Sequence, residues 1–181
     1  MDIKPLIIVE GKEDLYFLQS YLRYLSPDFP SVEWLEINGK GNLVKSNIQR
    51  KLLQGGMPVI IFDADSDYKN TLRQIQDTLV DLSFEVFLFP DNRSAGILEN
   101  LLEQIIHPEH EDIFICFENY KKCLGEKQQE YEMPNIKGKI YSYKEALGVI
   151  KEHEKHFHPE YWDFNSVALK PLKGFLLKNI L

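Results

Sequence analysis

Two cysteines in 181 residues, Cys116 and Cys123, are too few for a disulfide framework or a four-thiolate zinc site. They stand seven residues apart, which places them on one helix face and not in a metal or redox pair. They read as free thiols of a reducing cytoplasm. No apolar run approaches the ~20 residues of a membrane span, so no membrane partner is expected. The start, Met1-Asp2-Ile3-Lys4, runs straight into a strand, without the pattern of a signal peptide. An excess of positive charge is also missing. Lys and Arg number 21 against 28 Asp and Glu, a net charge of −7, which argues against a surface coated for nucleic acid. Any grip on a polynucleotide is then local or supplied by a partner. No Gly-x-x-x-x-Gly-Lys-Ser/Thr loop occurs, which excludes an ATPase half of the P-loop kind. Internal repeats, low-complexity tracts and an obvious linker are absent too.

What is present is the composition of a globular protein, 44% hydrophobic and 27% charged. The length fits one domain with an extension and buries roughly 70% of the unfolded surface. One stretch organises the rest: Val59-Ile60-Ile61-Phe62-Asp63-Ala64-Asp65-Ser66-Asp67. Four apolar residues, mostly β-branched or aromatic, read as a strand buried on both faces, as in a parallel sheet. Alternate residues of a strand share a side and lie roughly 6.5–7 Å apart. If the extended trace continues past Phe62, Asp63, Asp65 and Asp67 converge at one mouth. Carboxylates so placed need a cation, and oxygen ligands suit Mg²⁺ or Mn²⁺. Two plainer readings compete. A calcium loop wants Gly at its sixth position and Glu at its twelfth, where this chain has Tyr68 and Gln74. Helix capping near Asn70 needs only one of the three aspartates.

The order of elements follows from periodicity. Pro5–Val9 is a strand ending at Glu10-Gly11-Lys12, followed by a helix from Glu13 to Leu25 with Leu15, Leu18, Leu22 and Leu25 on one stripe. Val32–Ile37 is a second strand, and Asn38-Gly39-Lys40-Gly41-Asn42 a loop whose Asn42 would cap a helix from Leu43 to Leu53, stopped by Gly55-Gly56. Met57–Phe62 is the third strand, Thr71–Leu82 a helix, Phe84–Phe89 the fourth strand, and Ile97–Ile106 a helix carrying Glu99. The region 107–181 reads as mainly helical, with a short strand near Lys139–Tyr143, helices at Phe114–Leu124 and Tyr143–His153, and a basic amphipathic helix at Leu169–Leu181 that is expected to pack on the core. Tyr68 is expected to pack on the sheet. His107 and His110 read as loop, and His153, His156 and His158 as a solvated helix end, since a zinc site would need a fourth ligand. Alternating strands and helices mean an α/β fold with a four-stranded parallel sheet flanked by helices. Right-handed crossovers put all strand C-terminal ends on one edge, where ligands bind at the switch in strand order. Strand one beside strand three would bring Glu10 to the aspartates.

A strand ending Val9-Glu10-Gly11-Lys12 and a later strand ending Asp63-Ala64-Asp65, with one βα unit between, resemble the Toprim domain. That Rossmann-like module occurs in type IA and type II topoisomerases, bacterial primases, ribosomal-RNA maturation nucleases and OLD-family nucleases. The resemblance covers residues 4 to about 105, so it implies a Toprim-like domain over 1–105 and a mainly helical C-terminal extension over 106–181. It implies Glu10, Asp63 and Asp65 as the catalytic, metal-binding acids, with Asp67 extending the pattern. The Asn38-Gly39 loop and the pair Gly96 and Glu99 are similar to features of stand-alone, OLD-like members. A Mg²⁺- or Mn²⁺-dependent nuclease acting on DNA or RNA is implied, alone or with a partner such as a separate ATPase.

The residues suit that chemistry. Phosphodiester cleavage needs charge neutralised at the phosphate and a water activated, which metal ions held by Glu10, Asp63 and Asp65 supply. Glu10, if not a ligand, could serve as general acid or base. Glu99 is a candidate further ligand. Lys12, Lys40 and Arg93 are candidate phosphate contacts, as are backbone N–H groups at Gly39. Two other classes stand beside this one: a non-catalytic Toprim-like module that binds nucleic acid or a protein, and a phosphatase or phosphorelay domain. The last usually places its key aspartate after strand one, where this chain has Glu10.

Overall fold

The computed structural model describes residues 4–52, 57–127, 129–150 and 156–181. Strands β1 (Leu6–Val9), β2 (Glu33–Glu36), β3 (Pro58–Asp63) and β4 (Glu85–Phe89) form one parallel sheet in the order β2-β1-β3-β4. β1 lies between β2 and β3, with Ile7 opposite Trp34 on one side and Val59 on the other. All four residues of β1 and the five from Pro58 to Phe62 are buried, because both faces of the sheet are covered. β2, at the edge, is half-buried along its length.

Helix α1 (Lys12–Leu25) covers one face, and α2 (Lys45–Leu52) and α3 (Tyr68–Thr78) cover the other. The chain steps outward from β1 to β2 and then returns across β1 to β3. Right-handed crossovers force helices before and after that reversal onto opposite faces. Strand pleating divides the core accordingly. Ile7, Val9, Val59, Ile61, Phe87 and Phe89 meet Phe17, Leu18, Tyr21 and Leu22 of α1. Leu6, Ile8, Ile60, Phe62 and Leu88 meet Ile48, Ile75 and Leu79. Tyr68 packs partly buried against the second set, as expected.

After β4 come α4 (Leu98–Leu102), α5 (Glu111–Gly125), α6 (Ile136–Ala146) and α7 (Lys170–Asn179). This C-terminal region lies on the α1 face. Ile140, Tyr143, Phe157, Trp162, Phe164, Leu172 and Leu176 join the same core as Ile7 and Phe17. The indole N–H of the fully buried Trp162 donates to the His156 carbonyl at 2.7 Å. No helix of the described residues is long and apolar enough to cross a membrane.

Several expected elements change. Lys139–Tyr143 is helix, the middle of α6, and not strand: Ile140 and Tyr143 are buried three residues apart while Tyr141 between them is exposed. The helix expected from Tyr143 to His153 is replaced by α6, whose last residue is Ala146, and a turn at Gly148 (φ +72°) follows; His153 lies outside the described residues. α2 begins at Lys45, not Leu43. Asn42 caps nothing: its side-chain amide donates to the Ile37 and Asn38 carbonyls, each at 2.9 Å. Gly55-Gly56 and Leu53, the expected stop of that helix, lie outside the described residues, as does the Met1–Ile3 start. α3 starts earlier, at Tyr68, and ends at Thr78. The Ile97–Ile106 helix shrinks to α4 with a 3₁₀ turn over Glu103–Ile105.

Candidate functional site

The reversal in strand order falls between β1 and β3, and the crevice beyond their carboxyl ends is where a ligand site is expected in such sheets. Three short segments build its walls. Glu10 leaves β1 and leads through Gly11 into α1, whose Asp14 carboxylate accepts the Gly11 N–H at 2.8 Å. The loop after β2 is tied down by Gly39 N–H donating to the Glu10 carbonyl at 3.2 Å. There Asn38 (φ +54°) and Gly39 (φ +107°) take left-handed backbone, which Asn tolerates and Gly adopts freely. The third segment follows β3. Ala64 N–H donates to the Phe89 carbonyl at 3.1 Å, and Asp65 turns left-handed at φ +55°. Gly96 N–H holds the Asp65 carbonyl at 2.7 Å, and Leu98 N–H, at the start of α4, holds Asp63 Oδ1 at 2.7 Å.

The resulting cleft of about 430 Å³ is lined by Glu10, Gly11, Lys12, Asp14, Asn38, Gly39, Asp63 and Glu99, among others. Its electrostatics are those of acids crowded away from water. Burial pushes the Asp63 carboxyl up to about 7; the Leu98 N–H bond holds it back, and the Glu10 and Glu99 charges add to the rise. Burial also pushes Asp14 up to about 7, helped by the Asp63 charge and opposed by the Gly11 N–H. Glu10 is raised by burial, an effect that the neighbouring Lys40 ammonium partly offsets. A cation, the Lys40 ammonium, bonds the Asp65 carboxylate and lies 3.6 Å from Glu10 Oε2.

The sequence-derived candidates fare unequally. Glu10, Asp63, Glu99, Lys12 and Gly39 line the cleft, and Lys40 links Glu10 to Asp65 at its edge. Lys40 is therefore engaged with carboxylates and is not an open phosphate contact. The expected convergence of three alternating aspartates does not occur, because the left-handed turn at Asp65 ends the extended trace. Asp67 becomes the N-cap of α3, accepting the Asn70 N–H at 3.0 Å. Arg93 does not line the cleft; its Nε donates to Asp91 at 3.2 Å and its side chain is 80% exposed.

Asp14 and Lys137 are among the lining residues that sequence reasoning did not single out. Asp14, 8% exposed, lies in the first turn of α1 and lines the cleft, a position that any helix start can fill with Asp, so the sequence carried no distinct signal for it. Lys137 comes from α6, and its ammonium is 4.0 Å from Glu99 Oε1. No local pattern announced it, since only tertiary packing brings α6 to the crevice. Among the histidines, His156 is buried and its Nδ1 lies 3.6 Å from Glu13, so it is no part of a solvated end.

Whether these donors suit a divalent cation can be tested on what they hold now. Among the described residues no group of three or more His, Cys, Asp or Glu side chains is arranged to hold a metal ion. Glu10 Oε2 is nonetheless buried with no hydrogen-bond donor, and an ammonium sits between it and Asp65. An unbonded buried carboxylate oxygen with a cation as neighbour is the donor chemistry a hard metal ion takes. Glu10, with Asp65 across the Lys40 ammonium, has that donor chemistry, although no three-carboxylate group is formed among the described residues.

No curated protein and no solved structure matches the chain. One family model does, over residues 4–180, and its description is "Protein of unknown function (DUF3226)". The match takes in the sheet, the acidic cleft and the C-terminal helices together, and the chain belongs to the DUF3226 family.

Proposed function

We propose that this protein is a divalent-metal-dependent nuclease of Toprim type, cleaving phosphodiester bonds of DNA or RNA with Mg²⁺ or Mn²⁺. One observation carries the reading: beyond the ends of the two strands that flank the switch point, Glu10 and Asp65 share a cation, the Lys40 ammonium, and Asp63 at the end of β3 lines the same cleft as Glu10. Glu10, Asp63 and Asp65 are the residues that would hold the metal. When bound it would neutralise charge on the phosphate and activate a water. Lys12 and Lys137, at the walls of the cleft, are placed to meet the flanking phosphate oxygens. Lys40, once released from the carboxylates, is a third cation for that purpose. Glu10 and Asp14, both raised by burial, are candidates to carry a proton to or from the reacting oxygens. A cytoplasmic location and a partner such as a separate ATPase belong to the same proposal.

A second reading is favoured by a specific observation, the occupation of the carboxylates by Lys40. A site closed in that way serves a non-catalytic module that binds nucleic acid or a protein. Incubating the protein with labelled single-stranded DNA, duplex DNA and RNA, with Mn²⁺ or with EDTA, separates the two. Metal-dependent cleavage that the Asp63→Asn, Asp65→Asn double variant loses by at least about 100-fold is expected. Unchanged cleavage by that variant removes the assignment. Binding without cleavage across all substrates selects the module instead.

A further inference from the structure

A second, smaller cleft adjoins the acidic one. Its lining includes Ile140, Tyr141, Lys144, Ile150 and His156, and it shares Glu13, Glu99 and Lys137 with the first. At about 240 Å³ it falls below the roughly 300–1,000 Å³ of sites for drug-sized ligands, so it suits one small planar group. α6 supplies most of one wall. Lys137, Tyr141 and Lys144 stand at i, i+4 and i+7, a single helical stripe that runs along both clefts.

The charges sort what can enter. Lys144 is buried, ion-paired with Glu13 and held over the Phe157 ring at 4.4 Å, so it is not free for a phosphate. Glu99 at the boundary repels phosphate from the inner space. Lys137, at the junction, is the cation that a backbone phosphate can reach. Beyond it the apolar lining of Ile140, Tyr141 and Ile150 stands beside the Lys144–Glu13 ion pair and His156, and Tyr141 is 55% exposed although it packs beside a cleft. A neutral, flat heterocycle with a phosphodiester on one side matches that sequence of surfaces.

We propose that this cleft is a base-stacking subsite for single-stranded nucleic acid: an unpaired base lies on Tyr141 while the phosphate joining it to the next nucleotide meets Lys137. The proposal rests on the nuclease reading of the acidic cleft and adds a substrate class to it. A base inside a duplex has both faces stacked and cannot enter, so the subsite selects unpaired strands. The base's exposed face is chemically alike in DNA and RNA, and only the sugar distinguishes them.

The test measures binding, not cleavage. Fluorescence anisotropy of labelled single-stranded DNA, single-stranded RNA and duplex DNA is followed with Ca²⁺ in place of Mg²⁺. Single strands are expected to bind tighter than duplex, and Tyr141→Ala to weaken single-strand binding on the order of ten-fold, the size of a lost base–aromatic stack. Tyr141→Phe, which keeps the ring, is expected to restore it, and Tyr141→Trp to show quenched indole fluorescence on adding the strand. Equal affinity of Tyr141→Ala and the parent, loss in Tyr141→Phe as large as in Tyr141→Ala, or no binding of any single strand each overturns the subsite. A circular dichroism spectrum confirms that the variants fold, which the exposure of this side chain favours. A preference for one sugar between the DNA and RNA arms refines the ligand and keeps the stack. The two readings fail separately: single-strand binding sensitive to Tyr141 without any metal-dependent cleavage would remove the nuclease and leave the subsite. Cleavage insensitive to Tyr141 and without strand preference would do the reverse.

Discussion

On the proposed reading, Lys40 contests the place of the metal ion. Its ammonium holds Asp65 and lies near Glu10, two of the carboxylates a divalent cation would need. A metal at the proposed site would therefore have to break an ion pair that is partly open to solvent, worth about 1 kcal/mol. Replacing the ammonium with an apolar chain of similar length removes that competition. Lys40→Met is expected to bind Mn²⁺ roughly five-fold tighter by isothermal titration calorimetry, the factor that about 1 kcal/mol corresponds to. The same variant should cleave more slowly if Lys40 afterwards meets a phosphate. Weaker Mn²⁺ binding would mean that Lys40 assembles the carboxylates and does not compete for them. The residue scale also explains why Glu10 and Asp63 were readable in advance. Each ends an apolar run that could only be a buried strand, and a charged residue there is conspicuous. Asp14 was not readable as a site residue, because an Asp in a first helical turn is ordinary helix chemistry.

At the scale of elements, the three aspartates after β3 divide their labour according to backbone shape. Asp63 still belongs to the strand, Asp65 occupies a left-handed turn, and Asp67 caps α3. A cap contributes stability and no metal affinity. Asp67→Ala is expected to lower unfolding free energy by about 1 kcal/mol in urea titration, within the roughly 0.5–2 kcal/mol of lost caps. Its Mn²⁺ affinity should equal that of the parent; a clear loss would return Asp67 to the set of ligands. The period-two pattern predicted a common mouth because it assumed extended backbone beyond Phe62. That assumption fails where Gly96 captures the Asp65 carbonyl, a long-range bond invisible in local sequence. α6 was misread for a related reason. Ile-Tyr-Ser-Tyr carries the aromatic and β-branched residues that favour strands, and those weak preferences yield to packing. The spacing of Ile136, Ile140 and Tyr143 was the better guide. The strands themselves were legible, since runs such as Leu6–Val9 are buried on both faces and need no partner information to be recognised.

For the whole molecule, sheet and C-terminal helices form one body of core, since Phe157, Trp162 and Leu172 pack in the cluster that holds Ile7 and Phe17. That shared core is what carries Lys137 and Tyr141 to the edge of a cleft built by the sheet. Two cleft acids, Asp14 and Asp63, are raised by burial, and this sets how stability responds to pH. Asp14 and Asp63 have ordinary values of 3.8 and folded values of about 7. Between these limits the folded protein holds protons that the unfolded chain has released. The folded state gains from them fully below about pH 4, and the gain is lost as pH rises through about 7. The Asp63 charge contributes to the rise of Asp14, so the two windows overlap. In EDTA, the melting temperature is therefore expected to be lower at about pH 8 than at about pH 5. On the proposed reading a divalent ion takes the place of the proton beside Asp63, so Mn²⁺ should raise the melting temperature more at the higher pH than at the lower. Differential scanning calorimetry at both values, with and without Mn²⁺, reads this directly. Asp63→Asn, which removes one of the buried charges, should flatten the metal-free dependence. A metal-free protein that gained stability from about pH 5 to about pH 8 would contradict the buried-acid account, because carboxyls raised by burial can only act in the opposite direction over that interval.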